Sequence, residues 1–497
     1  MFNAYISSKI GPQGMGLLTL ASGIYGFAIT FACSGINLAV VRLVSISLTR
    51  KDGREKAIVR SAFIYCIIFS VIAGCTLFAF AEKIGCSLLH DQRIVKSIKI
   101  FSLSLPAISI SSAINGYFCA VRRVFKNVIS QVFEQTVRIL LIYYLFAVLS
   151  DADLESLCTA FVLGGVISEI GGASVSALLY LIDRKKHLCA MEKRSFNPHR
   201  GEFYNICSVA LPVAISAYAR SALSTVEHLA VPWGLGRCGI NYEASISSYG
   251  ILHGMVIPLL LFPSAMLSSF SSLLVPELAE ASAQGNHERI KRIASRVFSL
   301  SLLFSVGISG IFISFSHEIG LYLYSSEEAG EYIRLLAPLI PLMYLDGTVD
   351  AMLKGLGKQL YTMRVNISDS LISVLLILIL LPKLGISGYV IVIFVTEMFN
   401  TSLSIIKLLN LTGVKTPIVK WILKPLVTII LSTLITRFLF DYNIISALFG
   451  IVCEGKGYVI LEIGISAFLY LIISRLIGAV SKDDIEWGKT LVLPKKN

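Results

Sequence analysis

Charged side chains are scarce in this chain of 497 residues. Asp, Glu, Lys and Arg together make up 15% of it, whereas soluble domains carry about 25%. Hydrophobic residues make up 55%, and the mean hydropathy is +0.77. This balance excludes an ordinary soluble domain and predicts a membrane protein.

Several chemical motifs are also missing. The ten cysteines are scattered without CxxC or Cys/His spacing, which argues against a disulfide framework and a metal site. No phosphate-binding loop or GxGxxG is present, so an ATP-driven pump and a nucleotide cofactor are unsupported. The sequence also contains no nucleophile elbow, the motif that would indicate a hydrolase. We therefore expect a transporter that needs no cofactor, rather than an enzyme.

Long apolar runs are what the sequence has instead. Each is about 20 residues long, the length that a helix needs to cross roughly 30 Å of hydrocarbon. The predicted fold is an all-α membrane protein, because helices satisfy their own backbone groups in lipid. We predict thirteen spans, at about 17–45, 59–82, 98–121, 127–149, 156–182, 204–230, 246–274, 293–315, 332–353, 364–382, 386–408, 418–437 and 457–479.

The net charge of +12 has a topological origin. When loops are assigned alternately to two sides, most of the 43 Lys and Arg residues fall on one side. The positive-inside rule makes that side cytoplasmic. This predicts a multi-pass protein of the cytoplasmic membrane with a cytoplasmic C-terminus, and it gives no reason to expect nucleic acid as a partner.

The chain contains an internal repeat. A shift of 235 residues aligns its two halves, and beyond residue 145 the shift becomes 228 because one loop is longer. Polar matches inside apolar spans carry the most weight, since apolar matches between membrane helices are common. These matches, with one Pro pair, are Pro106/Pro341, Asn115/Asp350, Gln131/Asn366, Glu134/Asp369 and Glu169/Glu397. Paired bundles of this kind are typical of secondary transporters.

The repeat also predicts a missing helix. The span at 204–230 opens the second half, and its partner would lie before Met1. We therefore expect two pseudo-symmetric lobes of six helices plus two C-terminal helices, with the first helix lacking. The expected divisions are an N-lobe at 1–183, a basic cytoplasmic linker at 184–203, a C-lobe at 204–410, two additional helices at 411–480 and a cytoplasmic tail at 481–497.

Six segments give the chain a family resemblance. They are KIGPQGMGLLTL (9–20), SGINLAVVRLVS (34–45), SQVFEQTVRIL (130–140), STVEHLAVPWGL (224–235), YGILHGMVIPLLLFPSAML (249–267) and LAPLIPLMYLDGTVDAMLKGLGKQ (336–359). The chain resembles the multidrug/oligosaccharidyl-lipid/polysaccharide exporter superfamily, in the branch of stage V sporulation protein B and the polysaccharide-biosynthesis flippases. The resemblance implies fourteen helices in two lobes around a cavity. It also implies export of polyprenyl-diphosphate-linked saccharides, with cell-wall or spore-envelope synthesis enzymes as partners.

Three arginines inside spans are candidates for binding an anionic lipid head. Guanidinium groups suit phosphate because they donate two parallel hydrogen bonds. Arg42 is either an interfacial side chain or a diphosphate ligand. Arg138 is four residues from Glu134, which also suits a structural ion pair. Arg220 and Glu227 share a helix face and either line the cavity or pair with each other.

Carboxylates and amides within spans are candidates for ion coupling or for helix packing, because buried polar groups need partners. Both interpretations stay open for Glu134, Asp369, Glu169, Glu397, Asn115 and Asp350. For Asp350, cytoplasmic solvent is the expected environment. Arg138 corresponds to Ser373 in the other half, so the paired carboxylates do not exist only to bind an arginine.

Three other functions compete with the flippase. A cation-coupled multidrug exporter of the same fold would favour an acidic cavity, against which the three intramembrane arginines count. A membrane ligase or polymerase would need a large outer loop, and the outer loops here are short. A non-transporting membrane scaffold is the third alternative.

Overall fold

The computed structural model describes residues 2–50, 53–89, 91–149, 153–187, 201–414, 419–441 and 456–479. All regular elements in these ranges are helices, as the all-α prediction requires. The predicted tail at 481–497 and most of the predicted basic linker at 184–203 lie outside the described residues.

The chain divides into two compact units. Lys9–Trp233 form the first, here the N-unit, and Gly234–Asn497 with Asn3–Ser8 form the second, here the C-unit. The predicted lobe boundary at 203/204 stays a prediction, although the whole span at 204–230 groups with the N-unit. The helices up to this division are α1 (Phe2–Cys33), α2 (Ile36–Arg50), α3 (Glu55–Glu82), α4 (Arg93–Ser102), α5 (Leu105–Ala120), α6 (Phe125–Val148), α7 (Leu154–His187) and α8 (Glu202–Arg237).

The C-unit continues the chain with ten α-helices in its described part. They are α9 (Tyr242–Tyr249), α10 (Ile257–Leu261), α11 (Ser264–Ala283), α12 (His287–Ser314), α13 (Ser316–Tyr324), α14 (Glu327–Leu336), α15 (Ile340–Gly355), α16 (Gln359–Thr412), α17 (Lys424–Asp441) and α18 (Lys456–Leu476). Short π-helical segments at Lys83–Leu88, Gly250–Val256 and Val419–Leu423 and a 3₁₀ turn at Ala337–Leu339 complete the elements.

Within the described residues, 11 helices are long and apolar enough to cross a membrane, or 12 if the bent pair α4–α5 counts as one span. The number thirteen therefore stays a prediction. Part of the difference lies in α16, where the predicted spans 364–382 and 386–408 form one helical run of 54 residues. Gly385, at φ 60° and ψ −139°, kinks this run between them, because only glycine adopts such a conformation without strain.

The predicted span at 17–45 is broken in the structure. α1 ends at Cys33, and Gly35 turns the chain at φ 77° before α2 begins. The break leaves backbone carbonyls of α1 without hydrogen-bond donors from the helix, and side-chain hydroxyls act as donors instead. The Tyr218 hydroxyl donates to the Phe31 carbonyl at 3.1 Å, and the Ser109 hydroxyl donates to the Ala32 carbonyl at 3.1 Å. Such replacement lets a helix break inside a membrane.

Gly35 also gives α8 its close approach to the break. A Cβ atom at Gly35 would lie 2.2 Å from the carbonyl oxygen of Ala210. We expect Gly35→Ala to lower the free energy of unfolding by about 2–4 kcal/mol, from left-handed strain and overpacking. Gly357→Ala is the matched control, because Gly357 has φ 73° but nothing within 4 Å of its Cβ position. Denaturant titration of both variants in one detergent measures the difference, and equal losses would contradict the packing argument.

A buried carboxylate holds the N-unit together at the end of α7, on the side of the basic loops. Asp183 is 1% exposed and accepts hydrogen bonds from Arg123, Lys126 and the Tyr117 hydroxyl, the last at 3.0 Å. These partners come from the end of α5, the loop after it and the start of α6. One carboxylate therefore joins three consecutive helices.

The last two helices pack on α12 through glycines. A Cβ atom at Gly307 would lie 2.6 Å from the Tyr470 ring, and one at Gly310 would lie 2.2 Å from Ile429. Small residues of this kind let membrane helices approach closely. Arg437 of α17 adds an ion pair with Glu318 at 3.1 Å. The helix pair α17–α18 thus packs against α12 and α13 within the C-unit.

Candidate functional site

The N-unit brings three of the predicted site residues together inside its spans. Arg138 Nη2 lies 3.2 Å from Glu134 Oε1 on the same helix and 3.1 Å from Glu169 Oε1 on α7. The side chains of Arg138, Glu134 and Glu169 are 25%, 26% and 14% exposed. The i, i+4 pair forms as its spacing indicates, and the second carboxylate makes Arg138 a bridge between α6 and α7.

Three further residues complete this cluster, and none of them was among the predicted site residues. The Tyr25 hydroxyl donates to Glu169 Oε2 at 2.7 Å and also contacts the Ser104 hydroxyl. Arg138 Nε donates to the Ser168 hydroxyl at 3.2 Å. Tyr and Ser are common in apolar helices, and the repeat alignment did not single out these three. Ser168 alone carries a signal, because it precedes Glu169.

The hydrogen bonds of Arg138 leave part of its guanidinium available. A guanidinium has five N–H donors, and the protein takes one from Nε and those of Nη2. The two on Nη1 have no hydrogen-bond partner among the described residues. Because Arg138 is partly exposed, these donors can reach a ligand. Two parallel N–H groups match the oxygens of a phosphate.

Glycines of α7 allow the approach that builds the cluster. A Cβ atom at Gly172 would lie 2.9 Å from Glu134 Cβ, and one at Gly164 would lie 2.8 Å from the Ile142 side chain. Neither position therefore accommodates a larger residue without movement of α6. The α6–α7 contact consequently holds Glu134 and Arg138 against Glu169.

The C-unit contains a second polar cluster, in α15 and α16. Asn366 Nδ2 donates to Asp350 Oδ2 at 3.3 Å, and Asn400 Nδ2 donates to Asn366 Oδ1 at 3.1 Å. The expectation of solvent around Asp350 is wrong: it is 8% exposed, because α16 covers it and supplies the Asn366 amide. Asp350 Oδ1 and Asn400 Oδ1 are buried without a hydrogen-bond partner in the described part of the chain.

Three carboxyl groups lie beside this chain of amides. Thr401 Oγ1 donates to Glu397 Oε1 at 3.2 Å. Asp346 and Asp369 are close enough to Glu397 to act on it electrostatically. Ser373 stands where the repeat places Arg138, so this cluster lacks the arginine of its counterpart. The two units therefore differ in charge at matching positions.

The other predicted site residues are placed separately. Arg42 on α2 and Arg220 on α8 are exposed, and Glu227 is half-buried. The backbone carbonyl of Asn115 accepts a hydrogen bond from the Asn127 side-chain amide at 3.2 Å. α8 packs along α1, where Thr225 Oγ1 donates to the Gly23 carbonyl at 3.2 Å. The roles predicted for these four residues stay predictions.

A metal centre finds no support in the described residues. No group of three or more His, Cys, Asp or Glu side chains in those ranges could hold a metal ion.

The chemistry that the two clusters offer is anion binding at an arginine in one unit and proton or cation exchange at carboxyls in the other.

Comparison with known families gives two matches. A family model described as "Polysaccharide biosynthesis protein" matches residues 1–282. The MatE family model matches residues 237–379. The first match covers more than half of the chain, so it bears on the chain as a whole.

Two relatives from Bacillus subtilis (strain 168) match most of the chain. "Stage V sporulation protein B" is 28% identical over 393 residues, which cover 77% of this chain and 74% of the relative. "Lipid II flippase MurJ" is 24% identical over 388 residues, which cover 71% and 68%. The chain is thus similar to a sporulation protein and to a lipid flippase.

Two solved structures share the fold. A multidrug resistance MATE family transporter of the MOP superfamily, in its inward-facing conformation, superposes with a TM-score of 0.67 at 15% identity, over 84% of this chain and 95% of that one. Lipid II flippase MurJ in an inward closed conformation gives 0.59 at 14% identity, over 93% and 98%. At such identities the likeness concerns the fold alone.

Proposed function

Because the chain belongs to the polysaccharide biosynthesis protein family, within a superfamily of membrane flippases and transporters, we propose that it moves a polyprenyl-diphosphate-linked saccharide across the cytoplasmic membrane. The saccharide would be a precursor of the cell wall or spore envelope, and movement would occur by alternating access. The flippase name of one relative supports a lipid-linked substrate. The basic bias of the loops on one side supports an orientation in which those loops face the cytoplasm.

The observation that carries this proposal is the geometry of Arg138. An arginine inside a span is costly, so it is retained for a structural or functional reason. Glu134 and Glu169 hold the charge in place through Nη2, while the two Nη1 donors have no protein partner in the described structure. In our proposal those donors bind the diphosphate, and the polyprenyl tail stays in lipid. Arg42, Arg220 and Glu227 are proposed as further contacts of the head group.

The C-unit cluster is proposed to bind the coupling ion. Glu397, Asp369 and Asp350 belong to it, and two of its side-chain oxygens are buried without partners in the described residues. Carboxyl groups inside spans are typical of the proton and cation paths of transporters. The same acidic cluster favours a second candidate function, a cation-coupled multidrug exporter, because a cationic drug would be attracted to it.

A reconstitution experiment tests the two functions together. The full chain is placed in proteoliposomes with an undecaprenyl-diphosphate disaccharide, and exposure of the sugar to an impermeant glycosidase is followed. We expect translocation that exceeds that of protein-free liposomes and that responds to an imposed pH gradient. A parallel set of liposomes is loaded with a cationic dye.

The outcomes separate the alternatives. Dye efflux without lipid translocation would replace the flippase with the multidrug exporter. Movement of neither substrate, in protein shown to be folded by its thermal unfolding, would favour a membrane scaffold.

A further inference from the structure

A cavity of about 290 Å³ lies in the N-unit where the ends of α4, α6 and α7 meet, on the side opposite the basic loops. Its walls are apolar and include Leu145, Leu149 and Leu163, while Lys96, Glu155 and Thr159 add polar groups. Its volume is at the lower end of the range for ligand sites, roughly 300–1,000 Å³. The clusters of Arg138 and Glu397 do not contribute to its lining.

Two exposed tyrosines indicate the depth of this cavity in the membrane. Tyr143 and Tyr144 lie on α6 just before Leu145, and their side chains are 60% and 64% exposed. Tyrosines of this kind gather at the level of lipid head groups. The cavity therefore faces the region where a phospholipid head meets its acyl chains.

The polar groups at the cavity are balanced in charge. Lys96 Nζ lies 2.8 Å from Glu155 Oε1, and both side chains are partly exposed. The other basic residues of α4 are also paired, Arg93 with Asp91 and Lys99 with Glu82. An exposed ion pair contributes little to stability, so it can open to admit a ligand. The net charge of the paired groups is zero.

An unused hydroxyl points to a ligand with an acceptor. Thr159 Oγ1 is buried and has no hydrogen-bond partner within the described ranges. A buried hydroxyl without a hydrogen-bond partner is unfavourable. An ester carbonyl of a lipid is the acceptor that this depth supplies.

We propose that the cavity binds one zwitterionic phospholipid, phosphatidylethanolamine. Its phosphate would pair with Lys96 and its ammonium with Glu155, so that one ion pair becomes two. Thr159 would donate to an ester carbonyl, and an acyl chain would cover Leu145, Leu149 and Leu163. A neutral pair of charges favours this lipid over anionic phosphatidylglycerol. This inference does not depend on which substrate the protein transports.

Lipid titration followed by native mass spectrometry tests the proposal. The delipidated full chain is titrated with phosphatidylethanolamine or phosphatidylglycerol in one detergent, and the affinity for the first bound lipid is measured. Leu163→Trp fills the cavity and is expected to remove the preference for phosphatidylethanolamine. Leu178→Trp is the matched control, since this α7 residue is 58% exposed and does not line the cavity.

Charge variants test the head-group contacts. Glu155→Gln leaves Lys96 unbalanced and is expected to shift the relative affinity toward phosphatidylglycerol by roughly two- to fivefold. The exchange Lys96→Glu with Glu155→Lys keeps the pair neutral and is expected to keep the original preference. Equal affinities of the two lipids for the natural chain would overturn the proposal. The same lipid preference in Leu163→Trp would overturn it too.

Discussion

Replacing Arg138 by Ala is expected to reduce translocation of the lipid-linked saccharide by at least about 100-fold. Truncating one partner of a partly buried, hydrogen-bonded charge pair costs about 2–5 kcal/mol, and 2.7 kcal/mol corresponds to 100-fold. The diphosphate would lose the two Nη1 donors, and Glu134 and Glu169 would repel it once their counter-charge is gone. The reconstituted flipping assay measures this loss.

Two other variants of α6 refine this expectation. Arg138→Lys keeps the charge but loses the planar fork, so we expect an intermediate loss of roughly tenfold. Thr136→Ala is the matched control, because Thr136 is exposed on the same helix and its hydroxyl donates to the Val132 carbonyl of that helix. This control is expected to transport like the natural chain.

A charge-neutral variant separates anion binding from a structural role. Arg138→Met combined with Glu134→Gln and Glu169→Gln removes the whole ion cluster and leaves no buried charge unpaired. If Arg138 serves only to bind these carboxylates, the triple variant should recover transport relative to Arg138→Ala. We expect no recovery, and recovery to the level of the natural chain would refute the assignment of Arg138 to the substrate.

Asp183→Ala is expected to lower the free energy of unfolding by about 3 kcal/mol. Breaking a buried ion pair costs about 3–5 kcal/mol, and the lower value applies because Arg123 and Lys126 are partly exposed and regain water. The Tyr117 hydroxyl loses its acceptor as well. The free energy of unfolding in detergent measures the effect.

A second ion pair of the N-unit serves as the control for Asp183. Glu82 and Lys99 lie 2.7 Å apart, but the Glu82 side chain is 72% exposed. Glu82→Ala is therefore expected to unfold at the same denaturant concentration as the natural chain. A loss for Asp183→Ala no greater than that for Glu82→Ala would mean that burial adds nothing to the Asp183 contacts.

Hydropathy was sufficient to predict the all-α fold, because each span must satisfy its own backbone in lipid. Hydropathy did not predict where the helices break or bend. Gly35 interrupts the predicted span at 17–45, and its close contact is with Ala210, which is far away in sequence. Gly385 bends α16 without ending it. Hydropathy measures how apolar a segment is, whereas the direction of a helix depends on single residues and distant neighbours.

The site could be predicted only in part for a related reason. The repeat singled out Glu134 and Glu169 because polar residues are rare inside spans, and the structure brings both to Arg138. Tyr25 comes from α1 and meets Glu169 across 144 positions of the chain. A single sequence carries no signal for such a contact. Tertiary packing decides which of many tyrosines faces a carboxylate.

The ion pairs of the N-unit can form only in a certain order during synthesis of the chain. Asp183 follows Arg123 by 60 residues, and Glu202 follows Arg54, its partner at 3.2 Å, by 148 residues. At about 5–20 residues per second, Arg123 waits roughly 3–12 s and Arg54 roughly 7–30 s for its carboxylate. The N-unit can therefore complete both of these ion pairs only after the first residues of α8 have been synthesised.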